Sequence, residues 1–119
     1  LLLLPLLALA VAWSYGQAQG VLKQSPLSIT KRPTKTAWIE CKGEGISNFQ
    51  SEYIHWYRQL PDKAPERILY IQSNQIIYDD NSYKSKYNAY KKGTDICIFG
   101  VYDINSNDEA TYYCAYWKY

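Results

Sequence analysis

Few side chains in this sequence could carry out covalent chemistry or bind a metal ion, since it has three cysteines and one histidine. Nucleophilic catalysis needs the histidine in a pocket beside a serine or cysteine, and a zinc site needs about four closely spaced ligands. His55 lies in an alternating run, and Cys41, Cys97 and Cys114 are widely separated. The sequence therefore predicts neither an enzyme nor a metal site, which leaves disulfide formation as the expected chemistry.

The apolar segment at the start of the chain indicates export. Residues 1–13 are apolar without exception, a run shorter than the roughly 20 residues of a transmembrane helix. Small residues follow, as in a signal peptide, so we expect one over residues 1–18, clipped at its start and cleaved after Gly16 or Ala18. Residues 19–119 would then form one extracellular domain in an oxidising compartment, where cysteines pair.

The remainder reads as short strands separated by clusters of Gly, Asn, Pro and Ser. In one run Ile39 and Cys41 share a face, and in another Cys97 and Phe99 do. No long segment has helical periodicity. The pattern predicts an all-β fold, an antiparallel β-sandwich.

The cysteines and one tryptophan occur in a diagnostic order. Cys41, Trp56 and Cys114 have the order and spacing of an inter-sheet disulfide packed against a buried indole. Tyr112, two residues before Cys114, can bond back to the preceding connection in a tyrosine corner. We predict a Cys41–Cys114 disulfide, with Trp56 and Tyr112 in the core. Cys97 is expected to be a buried free thiol, an intermolecular disulfide being the alternative.

Three segments carry a resemblance to a known family: 53–59 (YIHWYRQ), 63–70 (KAPERILY) and 108–114 (DEATYYC). They resemble an immunoglobulin V-type domain. Residues 86–90 (KYNAY) and 114–117 (CAYW) look, more narrowly, like a T-cell receptor gamma chain variable region. The resemblance implies an immunoglobulin-like Greek-key sandwich that pairs with a T-cell receptor delta chain variable domain. It also implies an antigen or antigen-presenting protein as ligand, invariant signalling chains, and passage through the secretory pathway to the T-cell surface.

The resemblance places antigen-binding loops at 45–53, at about 71–79 and from 115 onward. Such loops favour Tyr, Ser, Asn and Trp, because rigid rings give contact area at low entropy cost. The predicted contact residues are Gly45, Ser47, Asn48, Tyr53, Gln72, Ser73, Asn74, Tyr116 and Trp117.

A face for the partner domain follows from alternation in the strand around Trp56. Because Trp56 points into the core, His55 and Tyr57 point outward, and an outward row of aromatic residues indicates a covered sheet. The predicted partner-domain face consists of His55, Tyr57, Gln59, Pro65, Tyr70 and Tyr113.

Two other functions stay open: an immunoglobulin light-chain variable domain, and a V-type adhesion or inhibitory receptor domain that does not rearrange.

No Phe-Gly-x-Gly follows Cys114, so we expect the final, joining-segment strand to be missing. The net charge of +2 gives no reason to expect nucleic acid as a partner, and no cofactor is implied. The resemblance to V-type domains also implies an ion pair between Lys86 and Asp108, which we expect to be exposed.

Overall fold

The computed structural model describes residues 21–25, 28–29 and 35–117. The predicted signal peptide, residues 1–18, lies outside them. The described residues form nine strands, together with short 3₁₀ helices at Phe49–Ser51, Asn81–Ser85 and Ser106–Asp108. The strands are β1 (Val21–Ser25), β2 (Ser28–Ile29), β3 (Ala37–Glu44), β4 (Ile54–Gln59), β5 (Glu66–Gln72), β6 (Gln75–Tyr78), β7 (Tyr87–Lys92), β8 (Ile96–Val101) and β9 (Ala110–Tyr116).

The strands make two antiparallel sheets. One has the order β1-β3-β8-β7 and the other the order β2-β9-β4-β5-β6. The chain passes from the first sheet to the second between β1 and β2 and returns before β3. It crosses again between β3 and β4, back between β6 and β7, and once more between β8 and β9. The predicted all-β immunoglobulin-like sandwich is confirmed, and the presence of β5 and β6 beside β4 is what separates the variable type from the constant type.

Alternating side chains build the core between the sheets. Along β3, Ile39 and Cys41 are fully buried, while their neighbours in the strand are exposed. On β8, Cys97 and Phe99 are fully buried. Alternation places every second residue on the same face, so β3 and β8 each contribute an apolar row to the core.

The disulfide and its surroundings form the centre of the core. Cys41 is bonded to Cys114, and Trp56 is fully buried and stacks on Phe99 with ring centroids 4.8 Å apart. Cys97 is a free, buried thiol opposite Cys41 in the β3–β8 register. Its Sγ lies 3.4 Å from the donating Nε1 of Trp56, and burial raises the pKa of the Cys97 thiol to about 11.

A buried tyrosine anchors the connection that precedes β9. The Tyr112 hydroxyl donates to the Asp108 carbonyl at 2.8 Å, which is the geometry of a tyrosine corner. Burial raises the pKa of Tyr112, so the phenol stays neutral and keeps donating. The start of β9 is thereby fixed relative to the turn before it.

The ion pair at the same end of the sandwich is more buried than the sequence suggested. Lys86 Nζ lies 2.6 Å from Asp108 Oδ2, and the Asp108 side chain is only 5% exposed. The same oxygen accepts from the Asn105 backbone N–H at 2.9 Å. The expectation of an exposed pair is wrong, because the 3₁₀ helix that ends at Asp108 turns the carboxylate inward.

Replacing Asp108 by alanine is expected to lower the free energy of unfolding by about 2–3 kcal/mol, because it removes a buried, hydrogen-bonded charge partner. The matched control is Glu44→Ala. Glu44 pairs with Lys23 at 3.4 Å with both side chains largely exposed, so the expected loss is below about 1 kcal/mol. Urea unfolding of the three proteins measures both, and equal losses would contradict the buried role of Asp108.

One edge of β9 is held by a side chain as well as by a strand. In the part of the chain that the structure describes, β2 pairs with β9 at Ala110 and Thr111. Further along, Gln24 Oε1 accepts from the Cys114 N–H at 3.1 Å, and Gln24 Nε2 donates to the Tyr112 carbonyl. This side-chain amide satisfies backbone groups that a neighbouring strand would otherwise bond, which stabilises β9 next to the disulfide.

An aromatic side chain covers the outer face of the first sheet. The Trp38 ring lies over Gly100, where a Cβ would come within 2.4 Å of the indole. Tyr90 and Tyr102 flank the same ring edge-on, at centroid distances of 6.1 and 5.9 Å. Trp38 still remains 48% exposed.

Candidate functional site

Three connections meet at one end of the sandwich. The register of β4 shows this, because its first residue, Ile54, is opposite Ile71 near the end of β5 and Tyr116 at the end of β9. The loop before β4, the turn after β5 and the segment after β9 are therefore neighbours. We call residues 45–53 loop 1 and residues 73–74 loop 2.

Loop 1 is folded around one buried ring. Phe49 is only 2% exposed, whereas Ser47 and Asn48 are exposed. Gly45 and Asn48 adopt left-handed backbone conformations, with φ of 73° and 55°, which glycine and asparagine tolerate best. Together with Tyr53, which is 49% exposed, these residues form the outer surface of the loop.

Loop 2 is a two-residue turn that contacts loop 1. Gln72, predicted as a loop residue, is the last residue of β5 and pairs with Gln75 across the hairpin. Ser73 and Asn74 form the exposed turn. The Ser73 N–H donates to the Gln50 carbonyl of loop 1 at 2.9 Å, so the two loops are joined by a backbone hydrogen bond.

The third predicted loop begins later than expected. Tyr116 lies within β9 and packs against the core, because it shares the inward parity of Cys114. The prediction that Tyr116 lies in a loop is wrong, because its pairing with Ile54 makes it the last residue of β9. Trp117 follows directly, is 47% exposed, and places its ring 5.7 Å from that of His55.

The outward side of β9, β4 and β5 brings most of the predicted partner-domain face together. Tyr57 is opposite Tyr113 on β9, and His55 is opposite Tyr70 on β5. The Tyr113 hydroxyl donates to Gln59 Oε1 at 3.0 Å. Pro65 differs from the others, because it lies exposed in the turn before β5.

His55 is nearly buried within this face, at 8% exposure. The ring lies 5.6 Å from that of Tyr70, and Arg67 Nη1 is 3.3 Å from His55 Nδ1. Burial and, after it, the Arg67 charge lower the pKa of His55, while the Asp79 carboxylate acts in the opposite direction. Because a guanidinium only donates, Nδ1 is the acceptor and the imidazole is neutral at pH 7.

Arg67 carries the charge of this face; the sequence places it on the same face as Tyr70, although it is not among the predicted contacts. Its Nε lies 2.9 and 3.2 Å from the two Asp79 carboxylate oxygens. The guanidinium also lies 5.0 Å from the centre of the Tyr70 ring. The face therefore compensates its own charge within the chain.

The neutral His55 predicts a pH effect on stability. Its folded pKa lies below that of the unfolded chain, so the unfolded state binds the extra proton as pH falls through about 6.5. The stability advantage of the wild type over His55→Gln is therefore expected to be constant above about pH 7.5 and to shrink as the pH falls through 6.5 toward 5. Urea unfolding at several pH values measures it, and an advantage that grows on acidification would indicate a charged His55.

Lys91 is a residue that sequence reasoning missed, since it was expected in a turn. It lies in β7, where Tyr87 and Ala89 face the core, and it shares their parity. A lysine that shares the inward face of a strand needs specific hydrogen-bond partners. Its parity with Tyr87 and Ala89 is the feature of the sequence that could have identified Lys91. Its partners are all in loop 1.

The fold and these sites define a variable-type immunoglobulin domain. A family model of the immunoglobulin V-set domain matches residues 24–119, and the chain therefore belongs to the immunoglobulin V-set family. Within it, the chain is similar to T-cell receptor gamma variable regions. It is 32% identical over 109 residues to the probable non-functional T cell receptor gamma variable 10 of Homo sapiens, covering 89% of this chain and 91% of the relative.

A mouse relative agrees with the human one. The T-cell receptor gamma chain V region V108B of Mus musculus is 33% identical over 106 residues, covering 88% of this chain and 89% of the relative. The resemblance found in the sequence is thereby confirmed. The family is a non-enzymatic one, and its T-cell receptor members are extracellular parts of surface receptors. Among the described residues, no helix has the length and apolar character needed to cross a membrane.

Proposed function

We propose that this chain is the antigen-recognition variable domain of the gamma chain of a gamma-delta T-cell receptor. The observation that supports it most is the outward side of β9, β4 and β5. Half-buried aromatic residues line that side, and its one arginine is compensated within the chain. An apolar, charge-depleted sheet face of this kind suits burial against another domain.

The proposed partner is a T-cell receptor delta chain variable domain. Tyr57 and Tyr113 face outward side by side in the middle of the face, where aromatic residues contribute most to an interface. Loops 1 and 2 and Trp117 then lie at the end of the pair and contact the antigen or antigen-presenting protein. The domain acts by binding, without catalysis, at the T-cell surface, and invariant chains of the receptor signal.

The export signal is part of the same proposal. A receptor domain at the cell surface must enter the secretory pathway, and residues 1–18 have the composition of a signal peptide. Amino-terminal sequencing of the secreted chain tests this, with a first residue between 17 and 19 expected. Retention of the apolar segment in the mature protein would contradict it.

Pairing distinguishes the proposed function from the alternatives. The full chain is mixed with a T-cell receptor delta variable domain, with an immunoglobulin heavy-chain variable domain, or with neither, and its sedimentation is measured. A one-to-one complex with the delta domain alone is the expected result. Preference for the heavy-chain domain would identify a light-chain type of variable domain, and a monomer in all three mixtures would favour an adhesion or inhibitory receptor.

A further inference from the structure

The side chain of Lys91 attaches β7 to loop 1. Its Nζ donates to the carbonyl oxygens of Phe49, Gln50 and Glu52 at 2.9, 2.8 and 2.6 Å. An ammonium group has three protons to donate, so these three acceptors use its full capacity. All three lie in or directly after the 3₁₀ helix Phe49–Ser51, and the Phe49 carbonyl also accepts from the Glu52 N–H at 3.1 Å.

The environment of Lys91 favours this attachment over alternatives in solvent. Burial lowers the pKa of Lys91, and the ammonium also lies 5.4 Å from the centre of the buried Phe49 ring. A partly desolvated charge is stable only where hydrogen bonds replace its lost water. The three carbonyl oxygens provide this replacement, because they belong to neighbouring residues of loop 1 and all accept from the same ammonium group.

Loop 1 is tied to the framework at a second point and to loop 2 at a third. Gln50 Nε2 donates to the Gly93 carbonyl in the turn between β7 and β8. The Gln50 carbonyl accepts from Lys91 and also from the Ser73 N–H of loop 2 at 2.9 Å. One carbonyl therefore connects β7, loop 1 and loop 2, so a displacement of loop 1 from β7 also disturbs its hydrogen bond to loop 2.

We propose that Lys91 is a positioning residue that holds loops 1 and 2 together as one preformed contact surface. Ser47, Asn48 and Ser73 are exposed on this surface, while Phe49 and Gln50 lie beneath it and support it. That the surface contacts an antigen rests on the proposed function, whereas the attachment itself does not. A surface that is ordered before binding loses less conformational entropy when the ligand binds. The specificity of the surface formed by loops 1 and 2 therefore comes from its fixed shape.

The test is amide hydrogen exchange on the full chain, comparing the wild type with Lys91→Met and with the matched control Lys92→Met. Lys92 is the next residue of β7 but is exposed. The reporting amides are those of Ser51, Glu52 and Ser73, each hydrogen-bonded to a loop 1 carbonyl. The reference amides are those of Tyr102 and Asp108, near the other end of the sandwich.

Lys91→Met is expected to accelerate exchange of the reporting amides about tenfold or more relative to the reference amides, because hydrogen bonds to a charged donor are lost. Lys92→Met is expected to leave the ratio unchanged within about twofold. An equal acceleration of reporting and reference amides would show a general effect on stability and overturn the proposal, as would no acceleration at all.

A measurement on the unsubstituted chain keeps the proposal testable if Lys91→Met does not fold. Nitrogen-15 spectra of the lysine side chains should show a slowly exchanging ammonium signal for Lys91, since three carbonyls shield its protons, and none for Lys92. Absence of the Lys91 signal would overturn the proposal. Failure to pair with a delta variable domain would instead overturn the proposed function while leaving both exchange patterns as expected.

Discussion

Removing the disulfide by the double substitution Cys41→Ala and Cys114→Ala is expected to lower the free energy of unfolding by about 4 kcal/mol. The bond closes a loop with a sequence separation of 73, and in the chain-entropy model a loop of this length gives roughly 4–5 kcal/mol. The loss also includes packing, because the sulfur atoms lie in the core with Ile39 and Trp56. Domains of this size have a total stability of about 5–15 kcal/mol, so the variant should be largely unfolded near body temperature.

Cys97→Ala is the matched control, because it removes a buried sulfur from the same core without opening a covalent loop. It loses the contact with Trp56 Nε1 and some packing, and about 1 kcal/mol is expected. Chemical unfolding of the wild type, the double variant and Cys97→Ala measures both losses in the free energy of unfolding. If the double variant lost no more stability than Cys97→Ala, the disulfide would not be the main constraint on the fold.

Tyr113→Asp is expected to weaken pairing with a delta variable domain about a hundredfold or more. Tyr113 is opposite Tyr57 and donates to Gln59, in the middle of the proposed interface. A carboxylate there would have to lose its water without a positive partner, since Arg67 is already bound to Asp79. The equilibrium dissociation constant of the complex measures the effect.

Tyr90→Asp provides the control for this substitution. Tyr90 is 45% exposed on β7, in the other sheet, so the same chemical change leaves the proposed interface untouched. Its pairing affinity should stay within about twofold of wild type, and thermal unfolding should show that both variants are folded. If Tyr113→Asp paired as tightly as Tyr90→Asp, the partner-domain face would lie elsewhere.

Features that depend on local alternation or on residue order were accessible from the sequence. The burial of Ile39, Trp56 and Phe99 follows from parity alone, because a strand allows only two faces. The Cys41–Cys114 disulfide follows from the order and spacing of the two cysteines around Trp56, together with the tyrosine two residues before Cys114. Neither requires knowledge of how the strands are arranged in space, which is why the class of fold could be stated early.

Features that depend on contacts between distant segments were not accessible. Asp108 looked exposed in a polar connection, yet a 3₁₀ helix turns it toward Lys86. Lys91 looked like part of a turn, and its role appears only when loop 1 is folded over β7. The inward position of Tyr116 depends on how far β4 extends the pairing of β9. Each outcome is decided by tertiary packing rather than by local propensity.

The close approach of Trp38 to Gly100 has a consequence for variation among related chains. With the indole over the glycine, any side chain at position 100 collides with the six-membered ring, and that ring is itself flanked by Tyr90 and Tyr102. A larger residue at 100 therefore requires the indole to move out from between the two tyrosines, or position 38 to lose it. Positions 38 and 100 should therefore covary across relatives, so that a large residue at one position is accompanied by a small residue at the other.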